Sequence, residues 1–392
     1  MANGANRTNG PLHERLRREI QEQIRRGHWT TGDRLPSERA LAETYKVSII
    51  TVRRALRDLV LEGVLVRRVP AGTFVAGAAL PRRVLGVATY GALAMTSPFF
   101  GSMLAGVHQG LPAGADLRLL APARGAAPPL GDWLKALAAA GELAGVVVVT
   151  AEAVRHEDVA YLDLVGFPYV LLNRRIEGHA AWCAVLDDYG VGRQAVDYLY
   201  ALGHRRLAHL AGPPSVITAA DRLRGFLDGL RAHCLFDPSD PAEPLVYHGR
   251  FTYDLLTSAA DQSGYDGMRQ LLARDPGITG VFAASDSLAS GACRALREAG
   301  RRVPEDVSVI GMANNPAAPS GRPAITAFDY RTEELGRQAV ALLMNQIEGR
   351  VARGDGAAGP AARMRVLEPV LVEGRSCAPA CVNAEADVAA GG

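Results

Sequence analysis

The chain has 392 residues, of which 48% are hydrophobic and 21% charged. This is the composition of a soluble globular protein with two or three domains. The longest apolar runs, such as 145–149, are strand-sized and fall well short of the ~18 residues of a membrane span. The polar first ten residues lack the apolar segment of a secretory signal. Five cysteines at scattered spacings do not form a disulfide framework, so we expect a cytoplasmic protein rather than a membrane, secreted or fibrous one.

Positive charge is concentrated at one end of the chain. Residues 1–76 carry 14 Lys and Arg against 8 Asp and Glu, whereas the remaining residues carry 29 against 33. A small basic module ahead of a large acidic body suggests a polyanion as the partner of the first part only. Chance asymmetry between two solvated surfaces is the alternative.

The basic module reads as three helices followed by a hairpin. Apolar residues at four-residue spacing predict an amphipathic helix that stops at Gly27. Ser37 and Ser48 are suitable N-caps for two further helices, and two short strands, 64–68 and 73–76, flank a turn. Two short helices joined by a tight turn have the shape of a helix-turn-helix.

The last of these helices has an apolar stripe that leaves other side chains facing outward. We expect Ile50, Arg53, Arg54 and Arg57 on that outer face, with hydroxyl groups at the helix start. Such a surface suits phosphate and base-edge contacts in a major groove. An ordinary three-helix domain with a solvated face is the alternative.

The acidic body alternates apolar, strand-like runs with helical patterns. The predicted strands are 84–89, 117–120, 145–150, 169–172, 184–186, 207–211, 245–247, 280–283 and 307–311. Fully apolar strands separated by helices indicate parallel sheets covered on both faces. Nine strands in ~300 residues favour two doubly wound subdomains, with a ligand site in the cleft at the carboxyl ends of their strands.

Aromatic, amide, carboxylate and guanidinium side chains follow the predicted strand ends, and together they suit a small polar ligand with several hydroxyl groups. Taken singly, each residue type is also common as a turn or cap. The predicted ligand-binding residues are Phe99, Phe100, Asn173, Arg222, Phe251, Asp286 and Asn314.

The first segment resembles the winged helix-turn-helix of GntR-family transcriptional regulators over about residues 11–76. The ordered motifs are Leu35-Pro36-Ser37-Glu38-Arg39, Val47-Ser48, Thr51-Val52-Arg53-Arg54-Ala55-Leu56, Glu62-Gly63 and Gly72-Thr73-Phe74-Val75. The resemblance implies DNA contacts by Arg39, Ser48, Thr51 and Arg53, and a wing around Gly72 that reaches the minor groove.

Two departures from that family affect the expected specificity. Ile49 and Ile50 stand where the family usually has Arg followed by Thr or Ser, so a base-reading guanidinium is missing. Ile50 is suited to contact a thymine methyl group, which favours altered specificity over lost binding. The wing tip is changed to Pro70-Ala71-Gly72.

The body resembles the LacI-type effector domain, which has the periplasmic-binding-protein type I fold, over about residues 84–375. The motifs are Ser97-Pro98-Phe99-Phe100, Gly203-His204-Arg205-Arg206-Leu207-Ala208, Asp221-Arg222-Leu223-Arg224-Gly225-Phe226, Ala283-Ala284-Ser285-Asp286 and Val303-Pro304-Glu305-Asp306-Val307-Ser308-Val309-Ile310-Gly311. The resemblance implies that Arg222 and Asp286 hold ligand hydroxyl groups and that Phe251 packs on a ring. Ser285 and Asn314 replace usual family residues, which loosens any assignment to a particular sugar.

A GntR head on a LacI-type body is the arrangement of the arabinose-repressor branch. We therefore predict a tail (1–10), a DNA-binding domain (11–76), a linker (77–83), a ligand-binding and dimerisation domain (84–375) and a second tail (376–392). The expected protein is a cytoplasmic homodimeric regulator, most simply a repressor, that binds double-stranded operator DNA and a sugar-like effector, with no membrane partner.

Three other readings are disfavoured. Gly190-Val191-Gly192 resembles a dinucleotide fingerprint, but the next strand does not end in the required acid. Cys377 and Cys381 lack a second pair of zinc ligands, and a pyridoxal-phosphate enzyme with a GntR head needs a lysine near a strand end, where the chain has none. We expect no cofactor, metal or catalytic residues. A solute-binding protein with a vestigial head remains the main alternative.

Overall fold

The computed structural model describes residues 11–30, 32–68, 72–76, 83–89, 98–121, 129–149, 154–237, 243–250, 261–313, 325–348 and 360–380. Two predicted ligand residues, Phe251 and Asn314, lie outside these ranges, as do the predicted tail 1–10 and residues 77–82 of the predicted linker. In the described part of the chain, every helix is too short or too polar to cross a lipid bilayer.

The head is a winged helix-turn-helix, as predicted. Its elements are α1 (Leu12–Arg25), α2 (Glu38–Tyr45), α3 (Ile49–Leu61), β1 (Leu65–Arg68) and β2 (Gly72–Val75). The Ser37 hydroxyl accepts the Ala40 N–H, the Ser48 hydroxyl accepts the Thr51 N–H, and left-handed Lys46 (φ 52°) turns the chain between α2 and α3. The two serines thus satisfy backbone donors that a helix start leaves without a partner. The hydrophobic core of the head is formed by aliphatic side chains from all three helices and the hairpin.

The body consists of two α/β subdomains, as predicted. Subdomain 1 contains a six-stranded, parallel sheet in the order β13-β7-β6-β5-β3-β4. Its strands are β3 (Arg83–Thr89), β4 (Ala115–Leu120), β5 (Gly145–Val149), β6 (Tyr169–Leu172), β7 (Cys183–Leu186) and β13 (Met364–Leu367). Its helices are α4 (Pro98–Gln109), α5 (Leu130–Ala140), α6 (His156–Leu164), α11 (Thr332–Ile347) and the short α12 (Pro360–Arg363). All five residues of β5 are buried, as expected for a central strand covered on both faces.

Subdomain 2 contains a second six-stranded sheet, with the strand order β14-β12-β11-β10-β8-β9, in which only the edge strand β14 is antiparallel to its neighbour. Its strands are β8 (Leu207–Ala211), β9 (Val246–His248), β10 (Gly280–Ala283), β11 (Ser308–Ala313), β12 (Thr326–Asp329) and β14 (Val370–Val372). Its helices are α7 (Asp188–Ala201), α8 (Ile217–Ala232), α9 (Gln262–Arg274) and α10 (Asp286–Glu298).

The chain passes between the subdomains three times, from β7 to α7, from β12 to α11 and from β13 to β14. The last two passages involve elements that the sequence pattern did not reveal. The strands β13 and β14 are short and half-exposed, so they lack the continuous apolar run by which buried strands are recognised. These three connections run between the subdomains at one edge of each sheet, and together they form the hinge between the two subdomains, beside the cleft.

Residues beyond the predicted boundary at 375 pack on subdomain 2. Buried Ser376 exchanges backbone and side-chain hydrogen bonds with Val309, and the Ala380 N–H donates to the Leu202 carbonyl at 2.8 Å. The start of the predicted second tail therefore belongs to the packed body.

Candidate DNA-binding face and ligand cleft

The first turn of α3 presents an apolar tip. Ile49 and Ile50 are 43% and 42% exposed, although the opposite face of the helix is buried in the core of the head. The Ser48 and Thr51 hydroxyl groups lie 2.8 Å apart, and Ser48 Oγ accepts the Thr51 N–H at 3.1 Å. Ser48 and Thr51 thus form the cap of α3. The exposed surface at the start of this helix consists largely of the Ile49 and Ile50 side chains.

Glu38 connects α3 to the β1–β2 hairpin. One of its carboxylate oxygens accepts from Arg53 Nη2 at 2.9 Å and Nε at 3.1 Å, and the other accepts from Arg67 Nη2 at 3.2 Å. The Arg53 side chain remains 40% exposed. Arg39 on α2 is 84% exposed and has a loose contact of 3.7 Å with Glu43, and Gly72 begins β2. The DNA contacts expected of Arg39, Arg53 and Gly72 stay predictions.

Arg54 and Arg57 lie against the body, and Arg57 borders the same small cavity as Arg53 and Arg67. The expectation that Arg57 faces outward is wrong, because its side chain is 9% exposed and Nη1 donates to the Val165 carbonyl of the body at 2.9 Å. Arg54 lies against Gly166, where a Cβ would stand 3.4 Å from its Nε. Val165 closes the C-terminus of α6, whose partial negative charge attracts guanidinium groups. Helical periodicity identified a solvated face of the head but not the body that covers part of it.

The cleft between the subdomains contains a cavity of about 260 Å³ beside the hinge. Asn173, at the end of β6 and in the left-handed region (φ 55°), lines it together with Asp187 and Asp188 at the start of α7. Thr218 and Asp221 line it from α8. Polar groups from both subdomains converge there. Of the predicted ligand residues that the structure describes, Asn173 lines this cavity, whereas Phe99, Phe100, Arg222 and Asp286 do not.

Arg222 is buried in a set of protein contacts that includes Asp188, one of the residues that line this cavity. Its Nε and Nη2 donate to one Asp188 oxygen at 2.7 and 2.6 Å, and Nη1 donates to the Ala284 carbonyl at 2.7 Å. Its guanidinium also lies 5.6 Å from the Tyr330 ring centre. Burial raises the pKa of Asp188 above its ordinary value, and the paired guanidinium opposes that shift. Direct ligand binding by Arg222 stays a prediction, because three of its donor contacts serve the protein.

Asp286 is the first residue of α10 and opens to solvent. Its Oδ1 accepts the Ser287 N–H at 2.8 Å. Loss of hydration next to the surrounding protein raises the pKa of this carboxyl group. Hydrogen bonds from the backbone N–H groups of Ser287 and Asp286 oppose that shift. Arg222 donates to the carbonyl of Ala284, which follows β10 and lies two residues before Asp286. The two predicted ligand residues are therefore close together at the carboxyl end of β10.

The two predicted phenylalanines have different environments. Phe100 is 4% exposed and packs in the core of subdomain 1, where it is unavailable to a ligand in this structure. Half-buried Phe99 meets Tyr330 edge to face, with ring centres 5.3 Å apart, so this aromatic pair joins the two subdomains.

Several cleft residues were not among the predicted site residues. Arg175 of subdomain 1 forms an ion pair with Asp221 of α8, which also binds Arg224 at 2.9 Å. Asp188 and Tyr330 hold Arg222, as described above. The sequence signal for these residues is weak, because each becomes a cleft residue only when the hinge brings the two subdomains together.

One glycine of the apparent dinucleotide fingerprint, Gly192, serves helix packing together with Gly225 of α8. A Cβ on Gly192 would stand 2.0 Å from the Arg222 carbonyl oxygen, and one on Gly225 would stand 2.0 Å from that of Tyr189. Helices α7 and α8 therefore approach each other through glycine. Within the described ranges, no three His, Cys, Asp or Glu side chains gather to hold a metal ion.

Comparison with known families and proteins agrees with this division of the chain. Residues 12–75 match the family of bacterial regulatory proteins, gntR family. Residues 196–377 match the periplasmic binding protein-like domain.

The similar proteins are transcriptional regulators. The HTH-type transcriptional regulator CelR of Thermobifida fusca is 39% identical over 191 residues, which cover 48% of this chain and 52% of that protein; the chain thus spans about half the length of that relative. The arabinose metabolism transcriptional repressor of Geobacillus stearothermophilus is 27% identical over 87% of this chain and 92% of its own. A solved transcriptional regulator CelR–cellobiose complex is 28% identical, with a TM-score of 0.60 over 87% of this chain and 100% of that one. The chain accordingly combines a segment similar to the gntR family of bacterial regulatory proteins with a segment similar to the periplasmic binding protein-like domain.

Proposed function

We propose that the protein is a transcriptional regulator, most simply a repressor, whose head binds double-stranded operator DNA and whose cleft binds a small, sugar-like effector. The observation that carries this proposal is the combination, in one chain, of a capped helix-turn-helix with an exposed basic surface and a two-lobed body with a polar cleft. The relatives named above support both halves, since they are regulators and one is a complex with cellobiose.

The proposed DNA-binding residues are Arg39, Ser48, Ile50, Thr51, Arg53 and the wing at Gly72. Exposed guanidinium groups supply phosphate and base contacts, and the N-terminal end of α3 supplies the part of the helix that enters a major groove. Arg54 is less suited to this role while it packs against Gly166.

The proposed effector site combines Asn173, Arg222 and Asp286 with Phe99 beside the hinge. Carboxylate and amide oxygens accept from hydroxyl groups, and guanidinium and amide N–H groups donate to them. Arg175 and Asp221 join the site from opposite subdomains, so a ligand that alters their separation alters the angle between the lobes.

The regulator would act in the cytoplasm as a homodimer. A winged helix reads one half-site, so a two-fold symmetric operator needs two heads. The body is the only part large enough to provide the interface. Effector binding that changes the lobe angle would change how the paired heads are spaced, with a coupling of about 1–3 kcal/mol between the two sites.

Operator binding is tested with the full chain and a randomised DNA duplex library, followed by titration of the enriched duplex at several salt concentrations. We expect sequence-specific binding that weakens steeply with salt. Arg39→Ala should weaken it, whereas Arg231→Ala, the same charge change on the body, should not. Enrichment of no sequence would leave a solute-binding protein as the better description.

Effector binding is tested by thermal-shift screening of sugars against the full chain, followed by calorimetry with the sugar that gives the largest shift. Asp286→Asn should abolish binding, while Asp132→Asn, the same charge change at an exposed side chain of α5, should leave it intact. If the sugar binds but the operator affinity is unchanged by it, the proposed coupling is wrong.

A further inference from the structure

The exposed tip of α3 points to the bases that the head recognises. This inference rests on the proposed function and extends it from DNA binding in general to the chemistry of the operator. Ile49 and Ile50 expose large aliphatic side chains side by side, at the start of a helix whose other apolar residues pack in the core of the head, apart from Leu61, which packs against subdomain 1. The two side chains therefore serve no role in the core of the head.

The polar groups next to these isoleucines are already engaged. Ser48 Oγ binds both the Thr51 N–H and the Thr51 hydroxyl group, and the first turn carries no acidic side chain. The nearest guanidinium on the helix, that of Arg53, is one turn further on and is held by Glu38. A surface that meets this tip thus faces hydrocarbon, flanked by positive charge.

The positive charge of the head favours a polyanion as its partner. The exposed side chains of Ile49 and Ile50 favour a partner that presents an apolar group to them. In the major groove of B-DNA, base edges present hydrogen-bond donors and acceptors, and the C5 methyl group of thymine is the only apolar feature. We propose that Ile49 and Ile50 select operators that place thymine methyl groups against the first turn of α3.

The direct test replaces thymine by deoxyuridine in the duplex enriched from the randomised library. Deoxyuridine keeps every hydrogen-bonding group and lacks only the methyl group. We expect the full chain to lose about fourfold in affinity at each contacted position, the factor that corresponds to one buried methyl group. Deoxyuridine at positions outside the contact should have no effect.

The protein side of the contact is tested with Ile49→Ala and Ile50→Ala. Each should bind the thymine and deoxyuridine duplexes with more nearly equal affinity, because the apolar partner of the methyl group is gone. Leu119→Ala, which removes an equally exposed aliphatic side chain from the body (46%), should keep the wild-type ratio. Ile49→Arg should shift the enriched sequence toward guanine at the same position.

The outcomes separate this inference from the proposed function. Failure of the wild-type chain to enrich any sequence would overturn the proposed function itself. Enrichment with equal affinity for thymine and deoxyuridine at every position would overturn only the assignment to thymine. A change of oligomeric state in Ile50→Ala, with the thymine to deoxyuridine ratio unchanged, would instead assign the tip to a contact with a second copy of the chain.

Discussion

The head and the body each contain an arginine–carboxylate pair in which two guanidinium nitrogens bind one oxygen. In the head, Arg53 and Glu38 have side chains 40% and 21% exposed, whereas Arg222 and Asp188 in the body are each 4% exposed. An exposed pair contributes up to about 1 kcal/mol and can exchange partners with an incoming anion. A buried pair cannot be opened without leaving a charge away from water. The exposed Arg53–Glu38 pair of the head can therefore be replaced by other contacts, whereas the buried Arg222–Asp188 pair of the body is fixed.

The largest expected effect comes from breaking the buried pair. Asp188→Ala leaves the Arg222 guanidinium buried without its carboxylate, and we expect a loss of about 3–5 kcal/mol in the free energy of unfolding. Urea denaturation of the full chain, followed through the transition of the body, measures it. Asp197→Ala removes an exposed carboxylate from the same helix and should cost less than about 1 kcal/mol. Similar losses in the two variants would mean that the Asp188–Arg222 pair is not buried as described.

Removing the exposed arginine should affect binding rather than folding. We expect Arg53→Ala to weaken specific operator binding by about 1–3 kcal/mol and to relax the preference at one base pair. Its unfolding free energy should change by less than about 1 kcal/mol, because the pair with Glu38 is at the surface. Gel-shift titration and urea denaturation on the same preparation provide both numbers. An unchanged operator affinity would remove Arg53 from the DNA-binding surface.

The body should also lose stability in mild acid through His209. Its ring is buried and stacks against the rings of Phe226 and Phe282, Nδ1 lies 2.9 Å from the Phe282 carbonyl oxygen, and burial lowers its pKa to about 3. Because the unfolded chain binds a proton near pH 6.5 and the folded chain does not, stability falls as the pH drops below that value. We expect about 2 kcal/mol less stability at pH 5 than at pH 7 from this group.

His209→Gln provides the matched variant, because it keeps an N–H donor for the Phe282 carbonyl and does not titrate. The difference in unfolding free energy between the wild type and this variant should change by that amount over the same interval. A constant difference would show that His209 is protonated in the folded state or accessible to water.

The smallest expected effect comes from neutralising the head's carboxylate. Glu38→Gln should change the stability of the head by no more than about 1 kcal/mol, and the change should shrink as salt screens the exposed charges. Circular dichroism melting curves at low salt and at 1 M NaCl measure the difference. A larger loss that persists at high salt would show that Glu38 fixes the wing on α2 through packing or neutral hydrogen bonds.

Much of the fold followed from local patterns. The caps at Ser37 and Ser48 depend on the hydrogen bonds of a single helix turn, and the buried strand 145–149 depends on a run of five apolar residues. The pattern predicted the two subdomains but missed β12 and α11, which are largely buried. It also missed the edge strands β13 and β14, whose half-exposed residues show no apolar periodicity. Nor did it predict how many times the chain crosses the hinge.

The sequence alone determined the elements of the head, the basic charge of the head and the alternation of strands and helices through β11, because these follow from spacing, charge and helix capping within a few residues. The tertiary structure decided which side chains remain available. Asp188 engages Arg222 across 34 positions of the chain, Phe100 enters the core, and Arg57 is covered by α6, 108 positions away. These outcomes depend on burial and on partners distant in the sequence, which no local pattern records.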